Sequence, residues 1–294
     1  MRSKQALLCT LLFLLLAAAL IGGCGVAQEK AAEQSVFYRG TDGMGAEVVL
    51  TEKPKRVVSL GLATDEILLA IAPPEQIAAL TAYADDPGLS SMTEAAKAVP
   101  VKLKDRSPER VLALHPDLVF TTDGVPKELV ESLRDLGIRV VACRKPRTPE
   151  EVRAAVQLVA AALGEEAKGA ALLAAYDTAC SELMERVAGI PTDQRKKVLV
   201  ISMSPTFGSK GGLFDHLCTM AGVTNGAAVI GLEAGQPLTK EHILAVDPDV
   251  LIVPVWTAHG RYDIDKFNRE YLEDPALQTV KVIRDEQIVR PHEG

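Results

Sequence analysis

The sequence predicts an α/β fold: two Rossmann-like lobes with mainly parallel sheets, joined by a long rigid interlobe helix. Three observations carry that prediction. Short apolar runs alternate with helical segments over residues 56–143, and the alternation restarts at 196. This rhythm marks parallel sheets covered on both faces. Residues 149–188, between the two stretches, are helical in composition and hold no proline after Pro149. Finally, "SPERVLALHPDLVF" at 107–120 returns as "TKEHILAVDPDVLI" at 239–252, once in each alternating stretch.

The elements follow in order. Arg2 and Lys4 precede an uncharged apolar run over residues 7–21, which has the length of a signal-peptide core and is short for a membrane span. The run ends in "LIGGC". An aliphatic residue, two small ones and Cys24 resemble a bacterial lipobox. The resemblance implies a signal peptide over 1–23 and a lipid-modified Cys24. It also implies an extracytoplasmic protein held by its acyl chains rather than by a spanning helix. Residues 24–53 then read as a tether with a short leading hairpin. The first lobe is expected over 54–148. "RVVSL" is its first buried strand, and "ATDEILLAIAP" is a helix with Thr64 as N-cap and Asp65 and Glu66 at the positive end of its dipole. Strands at "QIAALTAY", "PDLVFTT" and "IRVVAC" follow, with helices at "SPERVLALH" and "KELVESLRDLG". The segment 149–188 is one helix or two with a break at "LGEEAKG", where Gly164 and Gly169 are the weak points. The second lobe is expected over 189–294, with strands at "KKVLVIS", "PDVLIVPVW" and "QIVRP" and Gly222 closing the helix "GGLFDHLCTMAG".

The net charge is −7, and removal of residues 1–23 makes it more negative, so nucleic acid is a poor partner. Cys143, Cys180 and Cys218 lack metal-site spacing and read as free thiols.

In open α/β sheets, ligands sit beyond the carboxyl ends of the strands. That rule selects Leu60 and Gly61, Tyr83, Thr122 and Asp123, Arg144 and Lys145, residues 203–207 with Phe207, and residues 256–261 with Trp256 and Arg261 as the ligand-facing positions. Lys104, Arg106, Arg144 and Arg261 either face an anionic ligand or are solvated surface charges. Glu109 and Glu241 raise a separate question. Each lies at the second position of a short helix, after Pro108 and Lys240 respectively. Proline suits the first helical position, but a capping box wants its acid one position later. Reciprocal capping therefore does not account for either glutamate.

The ordered set "PKRVVSL…ATDEILLAI", "SPERVLALHPDLVF", "LGIRVV", "MAGVTN" and "LTKEHILAVDPDVLIV" resembles the bilobal solute-binding proteins that serve ABC importers of ferric siderophores, haem and cobalamin. The resemblance runs from Pro54 onward. It implies that the ligand, a small metal chelate or corrinoid, lies between the lobes. It implies that Glu109 and Glu241 dock on a permease dimer, one acid per lobe, and that Tyr83 is a pocket tyrosine. It implies a monomer with no cofactor of its own, the iron or cobalt belonging to the ligand. Two departures stand out. Family members usually continue past the last strand with a further helix, whereas this chain stops at "VRPHEG", which reads as truncation. The positions of pocket tryptophans in the cobalamin-binding member hold Leu103 and Thr122, and aromatic residues are only 4% of the chain, which makes a corrin-stacking cage thin.

Other classes fare worse. The five histidines are dispersed, with His259 alone near the expected cleft, which disfavours a zinc or manganese carrier. No P-loop, nucleophile elbow or dinucleotide fingerprint is present, which argues against an enzyme. A lipid-anchored sensor domain on the same fold is the main alternative.

Overall fold

The structure is a computed structural model that describes residues 35–202, 207–255 and 263–290. The leader, Cys24, Trp256, His259, Arg261 and Tyr262 lie outside the described residues.

The described chain opens with an antiparallel hairpin, β1 (Tyr38–Thr41) and β2 (Glu47–Leu50). Asp42 organises its turn by accepting from the N–H groups of Met44 and Ala46, both at 2.9 Å. The same carboxylate accepts from Arg134 at 2.5 Å and from the Ala142 N–H at 3.2 Å. Val48 and Leu50 enter the first lobe's core, so packing extends that lobe upstream of Pro54.

The first sheet holds β3 (Val57–Ser59), β4 (Ile77–Thr81), β5 (Lys102–Leu103), β6 (Leu118–Thr122) and β7 (Val140–Cys143), ordered β5-β4-β3-β6-β7. All its pairings are parallel. Successive side chains of a strand point to opposite faces. Val57, Leu118 and Phe120 accordingly pack with Leu68 and Ile71 of helix α1 (Leu62–Ile71). On the other face Val58 and Val119 pack with Val111, Val130 and Leu133. These come from α3 (Pro108–Leu112) and α4 (Lys127–Asp135), which follow the short α2 (Thr93–Ala96). Helix α1 begins earlier than expected. Gly61, not Thr64, is at the cap, and the Thr64 hydroxyl donates back to the Gly61 carbonyl at 2.8 Å.

The helical segment is two helices, not one. α5 (Pro149–Leu163) starts with the Thr148 hydroxyl accepting from the Glu151 N–H, and it ends at Gly164 in the left-handed region, φ 65°. α6 (Glu166–Val187) then runs 22 residues, about 33 Å at 1.5 Å per residue. The two helices pack side by side. A Cβ on Gly169 would stand 2.5 Å from the Ala160 Cβ, and Arg153 pairs with Asp177. Helix α5 belongs to the first core through Ala155, Val159 and Leu163. The chain crosses to the second lobe as α6, and at its far end Val187 fits against Gly222.

The second sheet holds β8 (Lys197–Val200), β9 (Thr224–Asn225), β10 (Val250–Ile252) and β11 (Ile288–Val289), parallel and ordered β11-β10-β8-β9. Around it lie α7 (Leu213–Met220), α8 (Gly226–Val229), α9 (Lys240–Val246), α10 (Ile264–Leu272) and α11 (Lys281–Arg284). Gly222 follows α7 with φ 65°, as its sequence position suggested.

The repeated passage is a structural duplicate. Each copy is a short helix, a left-handed residue (His115, φ 49°; Asp247, φ 44°), a proline, an aspartate and a central strand. The aspartate has one task in both lobes. Asp117 accepts from the N–H groups of Lys55 at 2.6 Å and Arg56 at 3.0 Å, ahead of β3. Asp249 accepts from the Lys197 N–H at 2.8 Å, at the start of β8. The caps differ. Thr239 forms a capping box with His242, whereas Ser107 makes no cap bond and its hydroxyl donates to Asp105.

Candidate functional site

Strand order places the site. In the first sheet the chain winds outward from β3 through β4 and β5 on one side, and through β6 and β7 on the other. The crevice beyond the carboxyl ends of β3 and β6 is thus the topological switch point, where open α/β sheets bind ligands. Gly61 and Thr122 meet there, with the Thr122 Cγ2 3.5 Å from where a Cβ on Gly61 would stand. A side chain at 61 would narrow this crevice. Beneath it the Ser59 and Thr64 hydroxyls lie 2.7 Å apart and fully buried.

Leu60 corrects one expectation. Its side chain is fully buried in the core, so it offers only backbone to the crevice. Its carbonyl accepts from Arg106 Nη1 at 3.0 Å. The Arg106 guanidinium also stands 6.0 Å from the centroid of the half-buried Tyr83 ring, within cation–π range. Gly61, Tyr83, Arg106 and Thr122 are thereby gathered at one end of the first lobe. Arg144 is exposed beyond the edge strand β7. Its neighbour Lys145 comes nearer the switch point. The Lys145 N–H donates to Asp123 at 2.6 Å, and its Cδ lies 3.7 Å from where a Cβ on Gly124 would stand.

Asp65 is the group that sequence reasoning missed. Its sequence position suits the helix dipole, but the folded chain buries it fully. The Thr81 N–H donates to it at 3.2 Å, and the Thr81 hydroxyl donates to its other oxygen. Desolvation raises its carboxyl from 3.8 to about 7, against the opposing pull of hydrogen bonds from Thr81 and the Ser59 hydroxyl. The signal was available in the three-residue spacing of Asp65, Leu68 and Ile71, which puts the acid on the buried face of α1.

In the second lobe the switch point lies between β8 and β10. Phe207 is 54% exposed, with its ring centroid 5.9 Å from that of Phe214. Asn268 donates to the Pro254 carbonyl at 3.1 Å, just beyond β10.

Glu109 and Glu241 are both exposed, one on each lobe. The Glu241 carboxyl is held below its usual range, mainly by its own backbone N–H and then by the Thr239 hydroxyl. The duplicate also exposes matching apolar groups, Leu112 at 42% and Leu244 at 41%.

Among the described residues no His, Cys, Asp and Glu group is arranged to hold a metal ion, and Cys143, Cys180 and Cys218 are free. No helix among them is long and apolar enough to cross a membrane. Two surface cavities of about 320 and 250 Å³ lie at the opposite end of the first sheet, both lined by Lys53, Pro54 and Lys55. Their charged groups are already engaged: Lys53 pairs with Glu165 at 2.7 Å, and Asp117 accepts from the Lys55 and Arg56 N–H groups.

Comparison with known proteins agrees with the topology. Residues 57–293 match the family model described as periplasmic binding protein. An uncharacterized ABC transporter substrate-binding lipoprotein of Bacillus subtilis, YvrC, is 25% identical over 287 residues, covering 90% of this chain and 89% of that protein. The apo structure of the periplasmic haem-binding protein RhuT from Roseiflexus sp. RS-1 is similar at a TM-score of 0.65 and 25% identity, over 80% of this chain and 88% of that one. The molybdate-bound structure of MolA from Haemophilus influenzae has the same fold at a TM-score of 0.67 and 20% identity, over 86% of this chain and 82% of that one. With most of the chain inside the family model and two parallel α/β lobes joined by one helix, this chain belongs to the periplasmic binding protein family.

Proposed function

We propose that this chain is the extracytoplasmic, lipid-anchored solute-binding component of an ABC importer, and that its cargo is an anionic metal-centred nutrient. An iron chelate such as a siderophore or haem fits best, and a corrinoid, which is not anionic overall, is the alternative cargo. The observation that carries the reading is the grouping of Gly61, Tyr83, Arg106 and Thr122 at the first-lobe switch point. Arg106 is already oriented by the Leu60 carbonyl and the Tyr83 ring, so it can meet a carboxylate or other oxyanion at low entropic cost. Tyr83 offers an aromatic face to the same ligand. Gly61 lets a planar or bulky group approach the backbone. The lipoprotein name of the Bacillus relative and the "LIGGC" sequence support the anchor at Cys24. The paired acids Glu109 and Glu241 suit a permease made of two subunits.

Trp256 is the sole tryptophan, so any change in tryptophan emission on adding ligand arises at that one position. Titration with haemin, a ferric siderophore and cobalamin is expected to quench or shift it with at least one of them, and Arg106→Ala is expected to weaken that binding at least tenfold. Response to none of the three sinks the assignment. Response to molybdate alone replaces the chelate with a bare oxyanion.

A further inference from the structure

We propose that Asp65 is the positioning residue of the first-lobe half of the ligand site: its carboxylate fixes the turn carrying Tyr83 relative to the loop carrying Gly61. The inference rests on the ligand-site reading above. It starts from a closed circuit of contacts. The Asp65 N–H donates to the Gly61 carbonyl at 2.9 Å. The Asp65 carboxylate accepts both the N–H and the hydroxyl of Thr81. Thr81 ends β4 and leads straight into the short helical turn Ala82–Asp85, which carries Tyr83. The Tyr83 ring meets the Arg106 guanidinium, and Arg106 returns to the Leu60 carbonyl, one residue before Gly61. Asp65 is the one carboxylate in the ring, and it is fully buried.

A buried acid is a costly way to tie two loops if stability is the only end. Here it takes a place on the face of α1 otherwise given to Leu68 and Ile71. What a carboxylate does there is accept two donors from one residue at once. When it is protonated, that oxygen donates to the Thr81 hydroxyl instead of accepting from it, so the hydroxyl must turn and the tie to the Tyr83 turn reverses its polarity. The ionisable groups on the surrounding elements include Glu66 on α1, Tyr83, Asp85 and Asp86 after β4, Lys102 on β5, which pairs with Asp85 at 3.0 Å, Arg106 ahead of α3 and Asp123 after β6. Of these, Glu66 acts on Asp65 through its charge and favours the neutral form.

The test follows nitrogen-15 resonances of the full chain from about pH 5.5 to about pH 8.5. The amides of Thr81 and Tyr83 and the Arg106 Nε–H are expected to titrate together with one midpoint. Asp65→Asn is expected to abolish that titration in all three. Thr81→Val keeps the N–H donor and loses the hydroxyl, so it should shift the shared midpoint even if Asp65→Asn fails to fold. Titration confined to Thr81, with Tyr83 and Arg106 flat, would reduce Asp65 to a local structural acid and overturn the proposal. A ring that titrates as a unit in a chain binding none of the nutrient probes would sink the ligand reading instead.

Discussion

Asp65 lies on the buried face of α1, and desolvation holds its carboxyl at about 7 against an ordinary 3.8. The raised value fixes the sign of its effect on folding. The folded chain keeps a proton that the unfolded chain releases earlier, so this contribution to stability is complete below the unfolded value. It declines as pH rises towards about 7 and is constant beyond. Asp65→Asn removes the titration and keeps an acceptor for the Thr81 N–H. Urea unfolding at about pH 5 and about pH 8 is therefore expected to show the variant gaining roughly 2–3 kcal/mol on the parent between the two conditions. Parallel pH profiles for the two proteins would contradict this assignment. Its burial follows from helix periodicity, so the position could be read from sequence. Its partnership with Thr81, sixteen residues on, could not, because it depends on how β4 lies beside β3.

At the scale of elements, the duplicate passage shows what recurs and why. Each lobe must start a parallel strand level with its neighbour, and a parallel pair has no tight turn to set that register. Asp117 and Asp249 set it by binding the N–H groups at the start of the adjacent strand. Asp117 takes two such donors and Asp249 takes one. Asp117→Ala is expected to cost about 1–3 kcal/mol and Asp249→Ala roughly half of that, measured by urea unfolding of each variant. A larger loss from Asp249→Ala would refute the register role. The strands, the repeat and the stop at Gly222 were legible because they are local patterns of apolar spacing and turn residues. The break at Gly164 was visible only as an option. Composition favours helix on both sides, and only the close contact of Gly169 with Ala160 requires the chain to double back. The packing of the leading hairpin into the first lobe was not legible, because Asp42 finds Arg134 and Ala142 across about a hundred residues of sequence.

For the whole molecule, both copies of the passage expose a glutamate and, three residues on, a leucine. On a helix this spacing puts the two on one face. Each lobe so presents an acid beside an apolar contact, a layout suited to a partner with two similar halves. Exposed ion pairs give only about 0.2–1 kcal/mol each, so they set orientation and release easily. Glu109→Ala combined with Glu241→Ala is expected to leave ligand affinity unchanged and to lower uptake in cells. Full uptake by the double variant would remove the docking role. Strand alternation made the two-lobed plan readable, but strand order, and with it the switch point, needed the folded chain.

The pairing of α5 with α6 has a mechanical consequence. The first turns of α6 are splinted to the first lobe through Gly169 and the Arg153–Asp177 pair, so they move with it as one piece. Bending is left to the unsplinted stretch between Asp177 and Val187. The fulcrum of any motion between the lobes is therefore off-centre, close to the second lobe.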